Sequence, residues 1–345
     1  MNHQTRAAGN LERRIHDAEG NLFAAVGADV EEFVLELART GLRIRVLSHG
    51  CGPAVVLLHG VSESAAIWAP LFTKLPHRRL LAVDLPGHGL SDPTAFRRGQ
   101  VREHARLLIE DILDALRLDE VPVIGHSLGG MFALWHVAAG SGRISAVVAV
   151  GEPAVALPGV RVRMPLSLLT VRGLGVAVLR SPSTHRVYRR LLARGLGSAD
   201  AAAAPYPLIE ALRLSARRPE NARTVASLMH AIDRFRRPRP ESVLTSAELA
   251  AIMTPTIFII GSDDPYLSIE RARPSIDQIR GARLYEVPGG HAPWLADAQH
   301  AAGLIATHVH LTAGPPPSRT PCATGRGGTP RSCVPTSQTR TVKPG

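Results

Sequence analysis

Two rhythms of apolar and polar residues run along this chain. Over residues 22–38, Val30, Phe33, Val34 and Leu37 recur at helical spacing, which predicts an amphipathic helix and a helical N-terminal extension over residues 1–40. The stretch GLRIRVLSHGCGPAVVLLHG then reads as two strands around the turn SHGCGP. In Leu42-Arg43-Ile44-Arg45-Val46 the alternation suits a strand near a sheet edge, whereas the unbroken run Ala54 to Leu58 suits a strand covered on both faces.

From there strand and helix patterns alternate. Strands are predicted at 80–83, 121–125, 144–150, 256–260 and 283–287, with helices at 101–117, 127–139, 267–279 and 293–308. Such alternation predicts an α/β fold, a mostly parallel central sheet with helices on both faces. Residues 41–152 and 251–311 would form this core. About a hundred residues separate the strand ending near Val150 from the one starting near Thr256. They are rich in Arg, Leu and Ala and punctuated by prolines, and a segment this long between sheet strands predicts a helical lid over 153–250. Residues 312–345 are rich in Pro, Gly, Ser and Thr and predict a disordered tail.

Composition narrows the picture only at a few points. The first twenty residues are polar, without the apolar core of a signal peptide, and no run of about 18 apolar residues suggests a membrane span, so a cytoplasmic location is expected. Three cysteines give little support for a disulfide framework, and no His/Cys spacing suits a metal. The net charge of +11 is concentrated in residues 153–250, with 16 Arg against 6 acids. A basic face could attract an anionic partner, yet no nucleic-acid motif accompanies it, and solvated surface is the simpler reading.

Chemistry enters at Gly125-His126-Ser127-Leu128-Gly129, a G-x-S-x-G sequence where a strand gives way to a helix. A serine on so tight a turn needs small neighbours, and the helix behind it directs amides towards developing negative charge. The hydroxyl needs a base. His291, in VPGGHAPWLA, follows a strand and two glycines at the same carboxyl edge of the sheet. That base needs a carboxylate in turn. Asp264 in GSDDP is the candidate, with Asp263 a turn residue, and Glu152, at the end of the strand before the lid, is the alternative acid.

These features resemble the α/β-hydrolase superfamily over roughly residues 40–310. The order Ser127, Asp264, His291 matches that family, as do LLHG at 57–60 and DLPGHGLSD at 84–92. The resemblance implies an oxyanion hole from the backbone amides of Val61 and Leu128, a structural role for His59, and Trp68 packed behind the oxyanion loop. It implies a serine hydrolase acting on a carboxylic ester, thioester or lactone, without metal or organic cofactor. The substrate would be a small acyl compound, and lid arginines such as Arg161, Arg163 or Arg172 could meet an anionic group on it. Serine at the elbow speaks against haloalkane dehalogenases, epoxide hydrolases and dienelactone hydrolases. The meta-cleavage C–C hydrolases share serine and lid, but their usual elbow and oxyanion loop differ from GHSLGG and HGVSES. Acyl transfer, or ligand binding with a slow or silent triad, stays open.

Overall fold

A computed structural model describes residues 3–164, 166–171, 173–312 and 340–341. The strands are β1 (Val30–Glu36), β2 (Arg43–His49), β3 (Ala54–Leu58), β4 (Arg79–Val83), β5 (Val121–His126), β6 (Ile144–Val150), β7 (Thr256–Gly261), β8 (Arg283–Val287) and β9 (Arg340–Thr341). They form one sheet in the order β8-β7-β6-β5-β3-β4-β2-β1-β9. From β8 through β4 all pairs are parallel; β2 joins β4 antiparallel, and β1 joins β2 antiparallel.

Helices cover both faces. Before the lid come α1 (His3–Val26), α2 (Ala69–Phe72), α3 (Val101–Leu116) and α4 (Leu128–Ala138). Between β6 and β7 lies the helical insert, with α5 (Leu174–Arg180), α6 (His185–Leu196), α7 (Ser198–Ala203), α8 (Tyr206–Ala216), α9 (Pro219–Ile232) and α10 (Ser246–Ala251). The chain closes with α11 (Ile269–Ile276) and α12 (Ala298–Thr312). Among the described residues, no helix is long and apolar enough to cross a membrane.

The apolar runs are explained by this layering. Val56 and Leu58 of β3 point into the core beneath α3 and α4, while Val55 and Leu57 point into the one beneath α2 and α12. Val55 through Leu58 are therefore all buried, at a gain of about 1.5–3 kcal/mol for a large aliphatic side chain.

The N-terminal region departs from expectation. Residues 1–40 are not all helical extension: α1 ends at Val26, and Val30–Glu36 is a strand of the main sheet. Phe33, Leu35 and Leu37 are buried while Val34 is exposed, so the operative period is two. Pairing of β1 with β2 along seven residues decides the matter. The helix expected at 293–308 is also divided, into a 3₁₀ turn at Pro293–Leu295 followed by α12. Cys51 is disulfide-bonded. The tail expected to be disordered lies outside the described residues, apart from Thr312 and the two residues of β9.

The additional helix α1 serves as a strut. Ile15 and Ala18 pack on Ala211 and Leu214 of α8 in the lid. On its other side, Glu19 takes both terminal nitrogens of Arg45 from β2, at 2.8 and 2.7 Å. Arg45 is 1% exposed, and its Nε lies 2.7 Å from Asp84 Oδ2. Asp84 accepts the amides of Ala65 and Leu90, joining the loops after β3 and β4.

Candidate active site

The end of β5 delivers Ser127 to the carboxyl edge of the sheet, and α4 starts directly behind it. Ser127 has φ 47° and ψ −106°, a conformation that costs a non-glycine residue about 1–3 kcal/mol and is held only by its surroundings. The Ser127 amide donates to Val150 O at 3.3 Å, and the Gly129 amide donates to His59 O at 3.1 Å. A Cβ on Gly129 would collide with the carbonyl of Leu58, which explains the small residue two places after the serine.

His291 and Asp264 meet as the strand order suggests. The loop after β8 carries His291, the loop after β7 carries Asp264, and His291 Nδ1 lies 2.7 Å from Asp264 Oδ2. Asp264 also accepts the Glu152 amide on Oδ2 and the Tyr266 amide on Oδ1, each at 3.0 Å. Burial alone would raise the Asp264 carboxyl, but the His291 ring and these hydrogen bonds outweigh it and hold it below its ordinary value. With Nδ1 engaged by a carboxylate, Nε2 is the nitrogen left to handle protons. Asp263 is an exposed turn residue.

The alternative acid stands differently. Glu152 is fully buried, and among the described residues neither carboxylate oxygen has a hydrogen-bond partner. Burial, with the nearby Asp264 charge, pushes its carboxyl well above the ordinary range and favours the neutral form. Its amide, not its side chain, belongs to the His291 arrangement.

Ser127 and His291 face one cavity of about 360 Å³, together with Val61, Leu128 and Tyr266. Neither the Val61 nor the Leu128 amide takes part in the loop and turn hydrogen bonds among the described residues. The lid supplies an apolar roof that includes Leu166, Leu169, Val178, Leu192 and Met229. Of the arginines expected to meet an anionic group, Arg172 lies outside the described residues, and Arg161 and Arg163 are not among the residues lining the cavity. Arg213 and Arg217 of the lid line it instead. Arg213 is occupied by Glu210 and by Ser183 O. Among the described residues, no hydrogen bond or ion pair engages the Arg217 guanidinium. Nor does any group of three or more His, Cys, Asp or Glu side chains there form a metal-holding cluster.

Other expected residues have structural places. His59 is buried, with Nδ1 2.7 Å from Gly60 O and Nε2 accepting the Leu85 amide at 3.0 Å; burial lowers its pKa and keeps it neutral. Trp68 is fully buried and stacks on Trp294 with ring centroids 4.7 Å apart. The sequence reading passed over Glu63, His126 and Tyr266. His126 sits inside the G-x-S-x-G stretch at a position that the pattern leaves open, and its ring packs 4.7 Å from His291. Tyr266 meets the His291 ring edge-on at 4.5 Å.

Residues 53–295 match the model of a family described as alpha/beta hydrolase fold. A pimeloyl-[acyl-carrier protein] methyl ester esterase from Xylella fastidiosa (strain M23) is 29% identical over 272 residues, covering 76% of this chain and 96% of its own. Among solved structures, a carboxylesterase from Bacillus subtilis aligns with a TM-score of 0.67 at 18% identity, over 87% of this chain and 98% of that one. The 2-hydroxy-6-oxo-6-phenylhexa-2,4-dienoate hydrolase from Rhodococcus sp. strain RHA1 aligns with a TM-score of 0.67 at 20% identity, over 82% and 99%. These two likenesses speak to the fold alone. With the family model spanning most of the chain and the strand order described above, the chain belongs to the α/β-hydrolase family.

Proposed function

We propose that the protein is a serine hydrolase that cleaves a carboxylic ester, thioester or lactone through an acyl-enzyme on Ser127. The observation that carries this reading is the 2.7 Å contact of His291 Nδ1 with Asp264, made by a histidine that shares one apolar cavity with Ser127. Ser127 Oγ attacks the acyl carbon as its proton passes to His291 Nε2. The tetrahedral oxyanion is met by the amides of Val61 and Leu128, each such donor contributing about 3–4 kcal/mol to barrier lowering. Collapse expels the alcohol or thiol, which takes the proton from His291. Water, deprotonated by the same nitrogen, then releases the acid and restores Ser127. Asp264 holds the His291 tautomer throughout and stabilises the imidazolium.

The cavity lining extends the reading to the substrate. Its largely aliphatic roof suits an acyl chain, and Arg217 gives that chain a cationic partner for an anionic end. Monoesters of dicarboxylic acids should therefore be turned over with lower KM than neutral esters of equal length, and Arg217→Gln should remove the difference.

The primary test is intact-mass analysis after treatment with a fluorophosphonate. One adduct on the wild type and none on Ser127→Ala supports the reading, and ester, thioester and lactone panels then sort the substrates. Folded wild type that takes no adduct contradicts it and makes ligand binding beneath the lid the leading function.

A further inference from the structure

Three successive backbone amides carry the His291 loop, and all three donate to the lid. The Gly290 amide lies 3.2 and 3.1 Å from the two carboxylate oxygens of Asp200, and the Ala292 amide lies 2.9 Å from Asp200 Oδ2. Between them, the His291 amide donates to Leu196 O at 2.6 Å. Asp200 belongs to α7 and Leu196 ends α6, so both acceptors come from the helical insert, about ninety residues away in the chain. Asp200 is fully buried, and a Cβ on Gly290 would run into Leu196 O, so the two segments are fitted backbone to backbone.

We infer that Asp200 is a positioning residue for the base: the docked lid, through this carboxylate, sets the placement of His291. The inference rests on the hydrolase reading above. A buried carboxylate needs its lone pairs met, and amides are strong donors to a charged acceptor. Here the donors flank the catalytic side chain on both sides in sequence. The Asp264 contact fixes the rotation of the imidazole, while Asp200 fixes the backbone from which the imidazole hangs. Lid docking and histidine placement thereby become one event, and a displacement of residues 196–200 displaces the base from the serine.

The test compares Asp200→Ala and Asp200→Asn in the full chain, on an ester that the wild type hydrolyses. Misplacement of a catalytic group by about 1 Å can cost on the order of a hundredfold in rate. Asp200→Ala should lose at least about tenfold in kcat with KM within about twofold. Asp200→Asn, whose amide oxygen can still take both N–H groups from the Oδ2 position, should keep kcat within about threefold. A kcat within about twofold of wild type in Asp200→Ala, a KM effect alone, or equal losses in both variants would overturn the inference. Amide exchange of residues 290–292 in the wild type needs no variant. Protection comparable to that of α8 supports the inference, and exchange at the rate of a free loop sinks it even if Asp200→Ala fails to fold. A wild type inert towards every ester, with Ser127 unlabelled, defeats the hydrolase reading itself, and this inference falls with it.

Discussion

His126 Nδ1 lies 2.9 Å from Glu63 Oε2, and the other nitrogen of the same ring lies 3.0 Å from the carbonyl oxygen of His291. A carbonyl can only accept, so His126 Nε2–H donates to it, while the other ring nitrogen meets the Glu63 carboxylate. Glu63 Oε2 also takes the Gly60 amide at 2.7 Å, directly before Val61. One buried pair thus ties the loop proposed to bind the oxyanion to the backbone of the proposed base.

This pair should leave a mark on acid stability. Burial would raise the Glu63 carboxyl, but His126 outweighs it and holds Glu63 below its ordinary value of 4.5. A carboxylate with a depressed folded pKa contributes stability that is full above its unfolded value and disappears as pH falls through the folded one. Thermal melts of wild type and Glu63→Gln should therefore differ most near neutral pH, and the gap should close only as the pH falls through and below the ordinary carboxylate range. A gap that is constant over the whole range would refute the assignment.

If the proposed triad operates, Ser127→Ala and His291→Ala should each lower kcat/KM by at least about a thousandfold, and Asp264→Asn should also be severely impaired. Glu152→Gln should stay within a few fold of wild type, because a neutral, unpartnered acid loses little on becoming an amide. Steady-state kinetics on one ester decide it; a crippled Glu152→Gln beside an active Asp264→Asn would reverse the roles of the two acids.

Buried Arg45 is ion-paired to three carboxylates, the buried Glu19 and Asp84 and the part-buried Glu32. Removing one partner of such a buried arrangement leaves uncompensated charge and typically costs about 3–5 kcal/mol. Urea unfolding of Arg45→Met should show a loss of this order. A loss below about 1 kcal/mol would mean that the network is solvated or replaceable.

The strand-helix alternation, the elbow and the His291–Asp264 partnership could be read from the sequence because each has a local cause. Strands buried on both faces are apolar without interruption, and close approaches demand glycine. Val30 to Leu37 could not be settled locally, since its apolar residues fit a helical stripe and a half-buried strand alike, and only β2 beside it decides. Nor does the alternation around Arg45 hint that α1 covers this residue and supplies Glu19. Glu63, His126 and Asp200 were invisible for the same reason. Their partners are 63, 165 and about 90 residues away, and no periodicity reports a contact of that range.

The positive φ of Ser127 has one more consequence. Its cost resides in the Cβ, which alanine keeps and glycine lacks, whereas glycine is more costly to order by about 0.5–1 kcal/mol. Ser127→Gly should therefore melt above Ser127→Ala, by roughly 1 kcal/mol in unfolding free energy, and equal melting would show the elbow to be relaxed. If the difference is found, the position proposed as the nucleophile is one where the fold would be steadier with glycine. A silent binding protein would then lie a single codon change from the proposed enzyme, downhill in stability terms.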